Sequence, residues 1–212
     1  MKKRFLSLFA IVAIALIAVS FAKDNITTQT PTEETVLSAT DFFADYTVDT
    51  DASFVTWKGT KPTGSHNGTI KLSEGIFAAD GNTIASGTFT IDMASLKDAD
   101  GNKRLEGHLK NEQFFDVEKF PNAKFVVTGI SKDGEETMLH GDLTLKDKTN
   151  GVAFPITVTD NGSAMTISSE TFVIDRSKWN VKYGSKSFFD NLGDRFISDE
   201  VELKINVVAK KS

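Results

Sequence analysis

The chain contains no cysteine. That excludes disulfides, thiol catalysis and the acylated cysteine that tethers an exported lipoprotein, so a folded domain here relies on its core for stability. Histidine is nearly as scarce, and the three present, His66, His108 and His140, follow no metal-ligand spacing. A surplus of basic residues is also missing. Twenty-four Lys and Arg stand against 29 Asp and Glu, a net charge of −5, which argues against a nucleic-acid partner. No serine sits in a nucleophile elbow. The stretch Asp98-Ala99-Asp100-Gly101-Asn102 lacks the ligand ladder and closing Glu of a calcium loop, and reads as a turn.

What is present begins with a segment to be set apart from the fold. Lys2, Lys3 and Arg4 precede an apolar run over residues 5–19, and Ser20-Phe21-Ala22 places small residues at both positions a signal peptidase reads. The expectation is a secretory signal over 1–22, cleaved after Ala22, which sends the chain to the periplasm or outside the cell. An uncleaved anchor is the alternative, because the run is close to spanning length. Without the three leading basic residues, 21 basic face 29 acidic side chains, a net of about −8. Residues 23–42 are polar and aperiodic and read as a disordered linker. Residues 43–212 are long enough for one domain with a substantial core.

Within that domain the dominant signal has period two. Val55 and Trp57 alternate with Thr56 and Lys58, and Phe89, Ile91 and Met93 alternate with Thr90 and Asp92. The same pattern recurs at Phe125 and Val127, at Leu139, Leu143 and Leu145, at Val152, Phe154, Ile156 and Val158, and at Val201, Leu203, Ile205 and Val207. One apolar and one polar face per segment predicts half-buried strands. Asn67-Gly68, Asp80-Gly81, Asp100-Gly101, Asp133-Gly134, Asn150-Gly151 and Asn161-Gly162 read as turns between them. About eight antiparallel strands make a sandwich or a barrel, and periodicity does not choose. The 17 Phe residues suit either a lined cavity or a large filled core.

The run from Arg104 to Pro121 breaks the pattern. It carries Leu105, His108, Leu109, Phe114 and Phe115 among Lys110, Glu112 and Glu118. An amphipathic, helical lid with one face turned inward accounts for that mixture.

The ordered series of motifs resembles the YceI-like, polyisoprenoid-binding family. It runs from Tyr46, Val48 and Asp49 through Ser53, Val55, Trp57, Gly59, Gly64, His66 and Gly68. It continues with Ile91-Asp92-Met93, Ser95-Leu96, His108-Leu109, Phe114-Phe115-Asp116-Val117, Pro121 and Phe125. Gly141-Asp142-Leu143-Thr144 and Ile174-Asp175-Arg176 with Lys178-Trp179 complete it. The resemblance implies an all-β fold, a single antiparallel eight-stranded, lipocalin-like barrel with a short helical lid, binding a polyisoprenoid without catalysis or a further cofactor. Ala52 stands where many members have His, and Asp147 where many have Gly, so a head-group contact through those positions would differ here.

The apolar lining is then expected from Trp57, Phe89, Ile91, Phe125, Val127, Phe154, Ile156 and Ile174, with Leu105, Leu109, Phe114 and Phe115 as the lid. Lys58, His66, His108, Arg176 and Lys178 are the head-group candidates; Arg176 and Lys178 share one face if their segment is a strand. The expected partners are a polyisoprenoid lipid, of polyprenyl phosphate or isoprenoid quinone type, and a membrane touched transiently for loading. A homodimer is one way to lengthen the site. Two alternatives remain: an enzyme acting on an isoprenoid or quinone through His108 and a nearby carboxylate, and a packed barrel that works through its surface.

Overall fold

The computed structural model describes residues 43–212. The expected signal segment and linker, 1–42, lie outside the described residues. The elements are β1 (Ala44–Val48), β2 (Phe54–Lys61), β3 (Gly64–Asp80), β4 (Thr83–Asp98), α1 (Lys103–Lys110), β5 (Asn122–Asp133), β6 (Glu136–Leu145), β7 (Lys148–Asp160), β8 (Ala164–Ser169), β9 (Phe172–Asp175) and β10 (Glu200–Lys211).

The pairings are antiparallel, and from β2 to β8 each strand pairs with the next in sequence. β10 joins β2 on one side and β8 on the other, which closes a ring. The two remaining strands continue existing lanes. β10 pairs β2 up to Asn206 and β1 from Ala209 onward, with β3 flanking both. β9 likewise takes over from β8 along β10. Ten strands thus form eight lanes, two of them interrupted.

Side chains bridge both interruptions, and one of them turns the chain at the first. The Asp49 carboxylate accepts from the backbone N–H groups of Asp51 and Ala52, turning the chain between β1 and β2. Buried Ser53 then bridges the missing ladder rung: its Oγ accepts from Val208 N–H at 2.9 Å and donates to Val208 O at 3.2 Å. At the β8–β9 break, Ser169 Oγ accepts from Ile205 N–H at 3.0 Å. Each serine supplies a bond the backbone lacks.

Eight lanes leave an interior that side chains can fill or one slim ligand can occupy. This barrel does both, at opposite ends. The turns after β3, β5 and β7 gather at one end, where Ile84, Met165 and Ala209 are buried. Above them the rings of Tyr46, Phe77, Phe89, Phe125, Phe154 and Phe172 touch in sequence, with centroids 4.2–6.3 Å apart. Rigid rings stacked across strands make a floor that does not collapse.

At the other end lie the β2–β3 and β6–β7 turns, α1 with its following turns, and the 176–199 connection. Asn102 caps α1 by accepting from Leu105 N–H at 3.1 Å. The helix is shorter than the 104–121 insertion; residues after Asn111 form turns, and Lys146 Nζ ties that stretch down by donating to Phe114 O.

Two expected turns are strands. Asn150-Gly151 lies within β7, and the tight turn falls at Lys146 and Asp147, both in the left-handed region. Asn67-Gly68 lies within β3, where glycine serves a close approach: a Cβ at Gly68 would stand 1.8 Å from Lys97 O. Because that neighbour is backbone, Gly68→Ala is expected to destabilise the domain by about 2–3 kcal/mol in urea unfolding. A wild-type midpoint would contradict the close approach.

Candidate functional site

Above the aromatic floor the barrel encloses an apolar cavity of about 660 Å³, within the roughly 300–1,000 Å³ typical of small-molecule sites. Alternation along each lane builds its wall. Val55 and Trp57 of β2, Phe89, Ile91 and Met93 of β4, Leu143 and Leu145 of β6, and Leu203, Ile205 and Val207 of β10 all face it. Leu105 and Leu109, four apart on α1, cover the mouth with Phe114 and Phe115. Tyr183 and Ile197 of the 176–199 connection also line it, and the Tyr183 ring packs on the lid, 5.4 Å from that of Phe114.

Polar groups concentrate at the mouth. Two of them, Trp57 Nε1 and His108 Nε2, are buried with no protein partner among the described residues. The His108 ring is held edge-on by Tyr183 at 4.6 Å and Phe114 at 5.4 Å. An indole N–H only donates, so Trp57 is suited to a ligand group that accepts. His66 also lines the cavity, with Nδ1 3.4 Å from the buried Asp98 carboxylate. Lys61, Thr63, Asp194 and Arg195 mark the exposed rim.

Arg176 lines the cavity but is committed to the protein. Its Nε donates to Ser198 O at 2.9 Å, Nη1 to Val181 O at 2.6 Å and Nη2 to Ile197 O at 3.0 Å. Asp199 Oδ1 lies 3.2 Å from Nη2, and the guanidinium sits over Phe114 at 5.6 Å. Burial draws its pKa below the ordinary arginine value, with Asp199 and Asp175 opposing, and it remains a cation. Arg176 therefore fastens the 176–199 connection across the mouth.

Of the twelve residues expected to line the site, Trp57, Phe89, Ile91, Leu105, Leu109, Phe114, Phe115, Phe125, Phe154 and Ile174 border the cavity. Val127 and Ile156 do not. Both face inward, but beyond the floor, in the packed closed end. Among the polar candidates, His66, His108 and Arg176 border the cavity, whereas Lys58 and Lys178 are absent from it. Lys58 points away from the Trp57 face and pairs with Glu202 at 2.8 Å. Arg176 and Lys178 lie in a 3-10 turn (Arg176–Trp179), not a strand, so the one is buried and the other exposed. Neither Ala52 nor Asp147 borders the cavity; the left-handed backbone at Asp147, φ 60°, is the conformation that glycine adopts freely. Tyr183 and Ile197 went unsuggested because their segment has no period.

Glu106 anchors the lid from its outer side. Its buried carboxylate accepts from Lys103 Nζ at 2.9 Å and from Asp98 N–H at 3.2 Å. The Lys103 bond is the main cause holding its pKa below the ordinary value of 4.5, against burial. Its share of stability is complete above that ordinary value and disappears as pH falls through the lower folded one. Glu106→Gln is expected to flatten the acid limb of a stability–pH curve there; an unaltered limb would contradict this.

Residues 46–209 match the model of the YceI-like domain. The chain belongs to the YceI-like family. It is 32% identical over 123 residues to a UPF0312 protein of Pseudomonas putida, a match covering 56% of this chain and 64% of that protein. The chain thus spans somewhat under two thirds of the curated relatives it matches first. Protein YceI of Escherichia coli O157:H7 is 32% identical over 91 residues, or 43% of this chain and 46% of that one. Among solved structures, BcnA of Burkholderia cenocepacia superposes with a TM-score of 0.64 at 30% identity, covering 77% of this chain and 99% of that chain. A polyisoprenoid binding domain from Saccharophagus degradans, implicated in plant cell wall breakdown, gives a TM-score of 0.58 at 15% identity, covering 79% and 98%. At that identity the likeness establishes a shared YceI-like barrel and no more.

Proposed function

We propose that this YceI-like protein is exported and holds one polyisoprenoid lipid for transport or storage, with the tail along the cavity and the head at the mouth. The observation that carries this reading is the apolar cavity itself, closed below by stacked rings and bordered above by Trp57 Nε1 and His108 Nε2. A methyl-branched hydrocarbon has no polar atoms to satisfy, so wall shape and exclusion of water suffice to hold it. A head bearing acceptor oxygens, as in a polyprenyl phosphate or an isoprenoid quinone, meets the indole N–H.

Removing one five-carbon unit from water is worth about 4 kcal/mol at roughly 0.8 kcal/mol per carbon. A few units exceed the practical affinity limit of about 20 kcal/mol, so water is not the relevant reference. A bilayer solvates the tail about as well as the barrel does. Exchange near balance suits a carrier that loads and releases.

Glu106, the carboxylate nearest His108 in sequence, is committed to Lys103 and the Asp98 N–H. The reading is tested by fluorescence. Trp57 borders the cavity, whereas Trp179 is buried beside it with Nε1 bonded to Leu143 O. A short-chain isoprenoid quinone is expected to quench Trp57 and raise the melting temperature; neither change would mean a barrel that takes no such cargo. Trp57→Phe is expected to weaken that quinone about three- to tenfold by loss of one hydrogen bond, while an all-hydrocarbon isoprenoid such as squalene binds as before.

A further inference from the structure

Three exposed aromatic rings fall within seven residues of the connection that borders the mouth. Phe188 and Phe189 are 40% and 49% exposed, and Tyr183, which borders the cavity, is 39% exposed. Such side chains at the tip of an ordinary surface turn cost solubility and mark a contact site when grouped. The other exposed large hydrophobics among the described residues, Phe43, Phe54, Ile76, Val126 and Val173, lie outside this connection and only Phe43 and Phe54 are aromatic.

The turn that presents the pair is firmly built. Ser185 is fully buried, its carbonyl accepts from both Phe188 and Phe189 N–H groups, and its Oγ donates to Asp199 Oδ2 at 2.8 Å. Asp199 is the carboxylate that faces Arg176. The rings are therefore fixed to the network that fastens this connection over the cavity.

Charge is arranged to match. Lys182 Nζ lies 4.9 Å from the Phe188 ring centroid and Lys186 Nζ 3.5 Å from that of Phe196, so cations and rings occupy the same surface. Exposed Lys61, Lys178 and Arg195 belong to the same end of the barrel, against Asp190 and Asp194 in the connection. The closed end carries exposed Asp80, Asp133, Glu135, Glu136 and Asp160 in its turns, with Lys132, Lys210 and Lys211 beside them. Lys182, Lys186 and Arg195 give the connection itself cations for an anionic lipid surface.

We infer that the 182–196 segment is a membrane-docking surface, in which Phe188 and Phe189 enter the interface of an anionic bilayer while Lys182 and Lys186 meet its phosphates. The inference rests on the lipid-carrier reading for its purpose, since docking there brings the cavity mouth to the membrane. Aromatic rings inserted beside surface lysines are a known physical basis for reversible interfacial attachment.

The absence of cysteine makes the test specific. An environment-sensitive fluorophore is attached through Asp190→Cys, beside the ring pair, and in a second protein through Asn82→Cys, at the closed end. Both full-length chains are mixed with vesicles of phosphatidylglycerol and phosphatidylethanolamine, or of phosphatidylcholine alone. Blue-shifted, brighter emission is expected at position 190 and not at 82, on the anionic vesicles, and weakened by salt. Lys182→Gln with Lys186→Gln is expected to reduce the partition read at 190 about 30-fold, and Phe188→Ser with Phe189→Ser by at least roughly as much. No shift at position 190, an equal shift at 82, or a shift indifferent to both double substitutions would overturn the proposal. Quinone delivered in detergent micelles is read in parallel by Trp57 quenching. Uptake without docking overturns the docking surface alone, and docking without uptake overturns the cargo alone.

Discussion

A Val152→Trp chain is expected to fold with its barrel intact and to take up isoprenoid about 100-fold or more weakly than the wild type. Val152 lies in β7 opposite Gly141 of β6 and borders the cavity. It is only half-buried and borders the cavity, so the added ring has cavity space to extend into beside the Phe125 ring that lies over Gly141. An indole placed there displaces a stretch of tail worth at least one five-carbon unit, about 4 kcal/mol. Quinone titration gives the affinity, and thermal unfolding shows whether the fold is kept. Undiminished uptake by a well-folded Val152→Trp protein would mean that cargo does not enter the barrel.

The second large effect is on stability. Arg176→Met keeps much of the side chain's volume and removes the guanidinium that Ser198, Val181, Ile197 and Asp199 share. Three carbonyls and a carboxylate are left facing one another, and Asp199 Oδ1 has no other partner among the described residues. Breaking a buried pair from one side costs about 3–5 kcal/mol, which for a domain of this size lowers the melting temperature by roughly 10 °C. Arg176→Lys is expected to rescue little, because one ammonium cannot reproduce a planar fork. Lys178→Ala, two residues on and exposed, serves as the near-neutral comparison. A head-group role for Arg176 would instead show as lost lipid binding at full stability.

The barrel was legible where side-chain alternation met a buried face. Trp57, Phe89, Ile91, Phe125 and Phe154 could be placed inward because period two leaves them no other side. The same rule could not say how far along the barrel an inward residue sits. Val127 and Ile156 are buried, yet they fall below the ring of aromatics that sets the depth of the cavity. That depth depends on contacts between Phe89, Phe125, Phe154 and Phe172, which come from four different strands. Local patterns do not report such contacts.

Turn dipeptides misled where glycine answers to a neighbouring strand. Gly68 is required by Lys97 O across the β3–β4 pair, not by a turn, and nothing in the packing around Gly151 demands glycine. The polar mouth was the least legible part. Arg176 and Lys178 look equivalent as cations two apart on a strand; a 3-10 turn capped by Asp175 buries one and exposes the other. Tyr183, Ile197, Phe188 and Phe189 lie in a connection held by Ser185, Asp199 and Arg176, a network whose members are 9 to 23 residues apart in sequence.

The most direct measurement is organic extraction and mass spectrometry of the protein purified from an isoprenoid-producing bacterium, with Val152→Trp prepared in parallel. A polyprenyl or isoprenoid quinone species near one per chain is expected from the wild type, and a trace from the variant. A blank from the wild type, repeated after incubation with membrane extract, would contradict a lipid-holding barrel and leave Trp57, Phe89 and Phe125 as core residues around a space that holds no lipid.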